Sequence, residues 1–162
     1  MAADNFLQID GIKGESTDDK HKDWIEVMSY NWGVSQMASA AAVSATSSSA
    51  GQRADFQDLS IVKLMDKSSP LLMKACAKGD PVKEVKLELC RATGSKAVYM
   101  EYKLEQVIIS SVSTGGGGGG EATESVTFNY GKITLTYTPF DREGKAQGKV
   151  PAGWDLTKNI VM

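Results

Sequence analysis

Apolar and polar side chains alternate through much of this chain, and a period of two is the mark of strands with one buried face. In VKEVKLELCR, Val85, Leu87 and Leu89 point toward a core while Lys86 and Glu88 point away. NFLQID, FQDLSIVKL (Phe56 to Leu64) and AVYMEYKLEQVIISSVS (Ala97 to Ser113) read as further strands, the last long enough to bend or to serve two sheets. WIEVMSYNW, from Trp24 to Trp32, places Trp24, Met28, Tyr30 and Trp32 on one face. Ile25, Val27, Ser29 and Asn31 take the other, and with both faces partly apolar this strand is expected to pack on two sides. RATGSK is a polar turn in which Gly94 is available for positive φ.

One strand carries a phase slip. Val126, Phe128 and Tyr130 sit at even positions, whereas Ile133, Leu135 and Tyr137 sit at odd ones. An extra residue at or near Gly131, a β-bulge, returns both triplets to one face and adds the twist that a closing barrel needs.

A single helix has its ends written into DKSSPLLMKACAKGDP, and is expected over about Pro70 to Lys78. Ser69 suits the N-cap and Pro70 the first helical position, while Gly79 followed by Pro81 ends the run. Leu72 and Cys76 stack at i, i+4, and Lys74 and Lys78 face solvent near the negative end of the helix dipole. At about ten residues such a helix is stable only when docked on the sheet.

Two kinds of segment interrupt the pattern. Gly115 to Gly120 is an unbroken glycine block, followed by Glu121, Ala122, Thr123 and Glu124 where a phosphate loop needs lysine and a hydroxyl residue at a helix start. SVTFNYGKITLTY after it reads as strand, so the block is a flexible connection between strands. SQMASAAAVSATSSSAGQRA, Ser35 to Ala54, is small, polar and of low complexity; its length marks it as functional or disordered, and its alanines equally fit a short helix. PFDREGKAQGKVPAG, Pro139 to Gly153, is charged and turn-rich.

The chain has 162 residues, enough for one domain that buries about 70% of its unfolded surface. Eighteen basic against twenty acidic residues, in no long run of either sign, argue against nucleic acid or an anionic membrane as partner. No window approaches the ~20 apolar residues of a membrane span, and the first residues lack a basic, then apolar, secretory signal. Cys76 and Cys90 lie far from any metal or redox spacing and read as buried thiols in preference to a disulfide.

Chemistry is sparsely represented. His21, the one histidine, lies among Asp18, Asp19 and Asp23, and a lone histidine in such company is ordinarily exposed; a tight zinc set or an EF-hand spacing is absent. Cys76 with His21 as nucleophile and base competes with Cys76 as part of the helix's apolar stripe. Glu84, Glu88, Glu101 and Glu105 have the spacing of solvated strand faces. Trp24, Trp32 and Trp154 fit core or interface burial better than a sugar or base platform. No catalytic, cofactor or metal site is expected from these residues.

The order of several segments resembles the Hcp (haemolysin-coregulated protein) family of bacterial type VI secretion systems. The resemblance rests on IKGES with His21 shortly after, WGVSQ at Trp32 to Gln36, and DLSIVKLMDKSSPLLMKACAKG at Asp58 to Gly79. It continues in ISSVSTGG at Ile109 to Gly116, TESVTFNYGKITLTYTP at Thr123 to Pro139, and GWDLTKN at Gly153 to Asn159. Ala38 to Ala50 and the glycine block depart from it, both in loops.

The resemblance implies a mainly β protein, a β-barrel of two antiparallel sheets with one flanking helix and long loops, as a single domain over residues 1–162. It implies homo-hexameric rings stacked into a tube inside a contractile sheath, tipped by a VgrG-like spike protein, with effector proteins in the channel. Such a protein folds in the bacterial cytoplasm and is exported without a cleaved signal peptide. Within that frame Ser35, Gln36, Met37, Ala38, Ser39, Val43, Ser47, Gln52 and Arg53 are candidates for ring stacking, and Ser29 and Asn31 for the channel wall. Ile25 and Val27, on the same face, argue against a wholly polar lining. The alternatives are a monomeric β-barrel binding module and a small hydrolase.

Overall fold

The structure is a computed structural model, and it describes residues 4–36, 53–92 and 96–162. β1 (Asp4–Ile9), β7 (Val82–Cys90), β8 (Val98–Gly115) and β9 (Thr123–Tyr137) form an antiparallel run at its centre. Their registers put Leu7, Leu87, Tyr102 and Leu135 opposite one another, and Ile9, Val85, Leu104 and Ile133 likewise. Alternation thus becomes layers of core. Leu7, Val85, Leu87 and Leu104 are wholly out of solvent, each contributing about 1.5–3 kcal/mol by burial.

The segment from Trp24 to Trp32 is not one strand. It divides at Met28 into β2 (Ile25–Val27), paired with β1, and β3 (Ser29–Asn31), paired with β6 (Leu59–Leu64). Ile25 and Val27 go into the core, whereas Ser29 and Asn31 are exposed. Residues of one parity therefore reach different environments because the partner strand changes between them. The Phe56 to Leu64 strand also divides: β4 (Val34–Ser35) pairs with β5 (Asp55–Phe56) as a separate two-stranded sheet, and β6 continues in the main one. The nine-stranded sheet runs β11–β10–β9–β8–β7–β1–β2, with β6 on β9 and β3 on β6; here β10 is Val150–Asp155 and β11 Ile160–Val161. The expected barrel is not closed by an unbroken ladder. Chain continuity at Met28, whose N–H donates to the Val62 carbonyl at 2.8 Å, bridges β2 to the β3–β6 pair.

The phase slip is real but has a different cause from a bulge at Gly131. Glu105 faces Lys132 and Val107 faces Tyr130, so the β8–β9 register passes Gly131 unbroken. Gln106, opposite Gly131, has φ 55°, and β8 slips phase as well: Tyr102 and Leu104 are buried before it, Val107 and Ile109 after it. Both strands kink together. A Cβ on Gly131 would meet Gln106 Oε1 at 2.6 Å and Gln106 Cβ and Thr157 Cγ2 at 3.1 Å, so any side chain there has to displace Gln106 and Thr157. At this point β9 exchanges β6 for β10 as its second neighbour. The register shift in this pair lies instead at Ser110, and it keeps Val112 packed against the core.

The helix α1 covers Ser69–Lys78, with Ser68 in place of Ser69 at the N-cap and Gly79 (φ 67°) at the C-cap. Ser69 Oγ is engaged elsewhere: it accepts from the Asp66 N–H and donates to Glu124. Leu72 is fully buried, while Cys76 is only half-buried and Cys90 is the buried thiol; both are free. The glycine block connects β8 to β9, as expected. β10 begins inside the turn-rich segment, a strand that Pro151 and Gly153 hide from any pattern of alternation. Gly94 and the alanine run lie outside the described residues.

Candidate functional site

Three adjacent ladders assemble one exposed face from β3, β6, β9 and the second half of β8. Asn31 lies opposite Ser60, Ser60 opposite Thr127, and Thr127 opposite Ser111. In the next row Ser29, Val62, Ser125 and Ser113 follow one another in the same way. These are the side chains left over once Leu59, Ile61, Val126, Phe128 and Ile109 turn into the core.

The face is small, polar and internally bonded. Thr127 Oγ1 shares hydrogen bonds with Ser110 Oγ at 2.7 Å and Ser111 Oγ at 2.6 Å. Ser110 also donates to Asp58 Oδ2 at 2.6 Å, and Asn129 Nδ2 donates to Asp58 Oδ1 at 3.0 Å. The carboxylate of Asp58 is thus satisfied at both oxygens, and the hydroxyls have local partners. Such a surface offers a passing ligand weak, exchangeable hydrogen bonds, with the Asp58 carboxylate already engaged by Ser110 and Asn129 and Val62 an apolar member of the row. Ser29 and Asn31 were legible as members of it. Ser60, Ser110, Ser111, Ser125, Thr127 and Asn129 were not singled out, although the polar half of each alternation pointed to them.

The second candidate surface is the arm that begins beyond β3. Ser35 and Gln36 are exposed at the end of β4, and Arg53 is exposed just before β5. Met37, Ala38, Ser39, Val43, Ser47 and Gln52 lie outside the described residues. Aromatic rings anchor the base of the arm: Trp32 Nε1 donates to Tyr130 Oη at 2.6 Å, and Tyr130 Oη donates to the Gln57 carbonyl at 2.6 Å. Phe56 stacks on Trp154 at 6.2 Å, and Trp32 meets Tyr102 edge-on at 5.9 Å. Burial pushes the Tyr130 hydroxyl up to about 12, which keeps it a donor at any ordinary pH. Trp32 and Trp154 pack against the core as expected of such large rings.

His21 is buried, contrary to the expectation of an exposed side chain. It stacks on Phe6 at 4.2 Å, stands edge-on to Trp24, and bonds Asp18 Oδ2 through Nδ1 at 2.7 Å. Its Nε2 lies 3.5 Å from Glu88, so that glutamate is not simply a solvated face residue. The loop that carries His21 is pressed onto β2: a Cβ at Gly14 would lie 2.5 Å from the Trp24 carbonyl oxygen. His21 therefore fastens a loop to the sheet. Cys76 belongs to α1 and is not among its contacts, and no three His, Cys, Asp or Glu side chains gather into a metal-binding group among the described residues. No helix among those residues is long and apolar enough to cross a membrane.

Residues 6–137 match the family described as "Type VI secretion system effector, Hcp". Protein hcp1 of Pseudomonas aeruginosa PAO1 is 39% identical over 163 residues, covering 99% of each chain. A solved structure of a type six secretion system protein superposes with a TM-score of 0.92 at 35% identity, covering 99% of this chain and 100% of the other. Hcp1 from Salmonella typhimurium superposes with a TM-score of 0.82 at 32% identity over the full length of both. A type VI secretion system effector from Yersinia pestis gives 0.75 at 30% identity, covering 94% and 99%.

Proposed function

The chain belongs to the Hcp family of type VI secretion proteins, and we propose that it is a structural subunit of the secreted inner tube. Six copies close a ring, rings stack, and the channel carries effector proteins; the subunit itself turns over no substrate. It folds in the cytoplasm and leaves with the tube, inside a contractile sheath and beneath a VgrG-like spike.

The observation that carries this reading is the four-stranded polar face. β3 and the second half of β8 are its two outer strands, and neither has a further strand neighbour among the described residues. β3 leaves one side of the face open, while α1 packs against β8 at the other. Two such unlike sides can meet between copies, and repetition of that heterologous contact closes a ring. The face would then line the lumen, with Ser29 and Asn31 in its wall. Ile25 and Val27 no longer argue against a polar lining, since both are in the core. Ser35, Gln36 and Arg53, exposed close to an aromatic cluster, support a role in reaching the next ring for the segment between them.

Secretion tests the proposal. In a bacterium with an active type VI system, the tagged chain is expected in the culture supernatant, and to vanish from it when the sheath is inactivated. Sheath-independent release would contradict the assignment.

A further inference from the structure

Two unlike surfaces stand at opposite ends of the strand order. At the β2 end is an open cleft of about 950 Å³, with Met28, Leu64 and Met65 exposed by 55%, 39% and 46% along it. Glu15, Glu26 and Glu121 line the same cleft, all exposed and without an ion pair among the described residues. Its one lysine among the described residues, Lys96, is already held by Asp18 at 2.8 Å. At the other end β11 is an edge strand. Here Val150, Ile160, Val161 and Met162 are exposed by 62%, 50%, 71% and 53%. Lys149 and Lys158 flank them, exposed and without an ion pair among the described residues.

An exposed edge strand with apolar side chains is a surface awaiting a partner. The cleft is mainly polar and acidic, with Met28, Leu64 and Met65 as its exposed apolar side chains. The edge is apolar with a basic rim, so the two surfaces are complementary in charge and each offers some apolar area to the other. We propose that the β10–β11 edge of one copy seats in the cleft of a second copy, lysines against carboxylates. The inference rests on the tube reading and names a surface through which one subunit meets the next. A foreign basic peptide is not needed, because the matching chemistry lies on this same chain. Contact between unlike surfaces propagates head to tail, as a tube requires.

Charge reversal with mixing tests it. One variant carries Glu26→Lys and Glu121→Lys, the other Lys149→Glu and Lys158→Glu, all at exposed positions. Each alone opposes like charges at the contact, and its self-association by sedimentation velocity should weaken by about tenfold or more. Mixed in equal amounts, the reversed cleft meets the reversed edge and the native cleft meets the native edge, so association should return. Either variant assembling like wild type, or a mixture that stays as dispersed as its components, overturns the proposal. If wild type assembles in those experiments, the tube reading survives; if wild type is itself monomeric, both fall. Should a reversal unfold the chain by circular dichroism, Glu26→Gln with Glu121→Gln must instead remove most of the salt dependence of association. Unchanged salt dependence in that variant also overturns the proposal.

Discussion

Lys63 Nζ stands 2.5 Å from Glu124 Oε1, and neither side chain has meaningful contact with solvent. The two face each other across β6 and β9. Asp66 lies 3.0 Å from the same ammonium, and Ser69 Oγ at the start of α1 accepts from Lys63 at 3.2 Å and donates to Glu124 at 2.7 Å. The network ties the helix to the two strands behind the polar face. Desolvating such a pair is costly, so its value lies in fixing one arrangement, and breaking it is far worse than replacing it.

Lys63→Met should therefore cost about 3–5 kcal/mol in urea unfolding, because Glu124 is left buried and unpaired. The double variant Lys63→Met/Glu124→Leu should recover most of that loss. A single variant costing under about 1 kcal/mol would show that the pair is not a lock.

The joint kink at Gln106 and Gly131 makes a second prediction. Gly131→Val should destabilise the fold by about 1–3 kcal/mol through overpacking against Gln106 and Thr157. Gln106→Val should cost about 1–2 kcal/mol, since a β-branched residue resists φ 55°. Gln106→Gly should be nearly neutral. Equal tolerance of glycine and valine at position 106, measured by thermal unfolding, would contradict this account of the kink.

Asp18 makes stability depend on acid. Its hydrogen bond from Lys96, then that from His21, hold the carboxyl at about 2, below the ordinary 3.8. The folded state thus favours the ionised form, so the contribution is complete above pH ~4 and is lost as pH falls through about 2. The thermal midpoint of wild type should drop more steeply from pH 4 to 2 than that of Asp18→Asn. Parallel curves for the two proteins would remove Asp18 from the account.

Much of this fold was legible, for a physical reason. Where one face of a strand is buried, as in β7, alternation in sequence is alternation in space, and Val85, Leu87 and Leu89 could be assigned directly. Reading failed where the environment of a strand changes along its length. Nothing in WIEVMSYNW announces that Ile25 and Ser29 serve different partners, because exchange at Met28 is a property of β1 and β6. The slip at Gly131 was visible, but its cause was shared with Gln106 on another strand. Buried Lys63 was hidden because Glu124, which pairs with it, is distant in sequence. His21 has its partner Asp18 close by, but the Phe6 ring that covers it lies on β1. Of the candidate lining, Ser29 and Asn31 were found from their own strand; Ser111 and Thr127 join them only through pairing.

The arm gives a prediction that separates the two kinds of contact. Deleting Ser39 to Ser49 should leave rings intact in electron micrographs while shortening or abolishing stacked tubes. Loss of the rings themselves would assign the arm to the contact within a ring.

Self-recognition by a strand-built subunit is the central claim, and the mass of the purified chain in solution tests it most directly. Size-exclusion chromatography with light scattering at micromolar concentration should give six chain masses or multiples of six. A stable peak at one chain mass would contradict it.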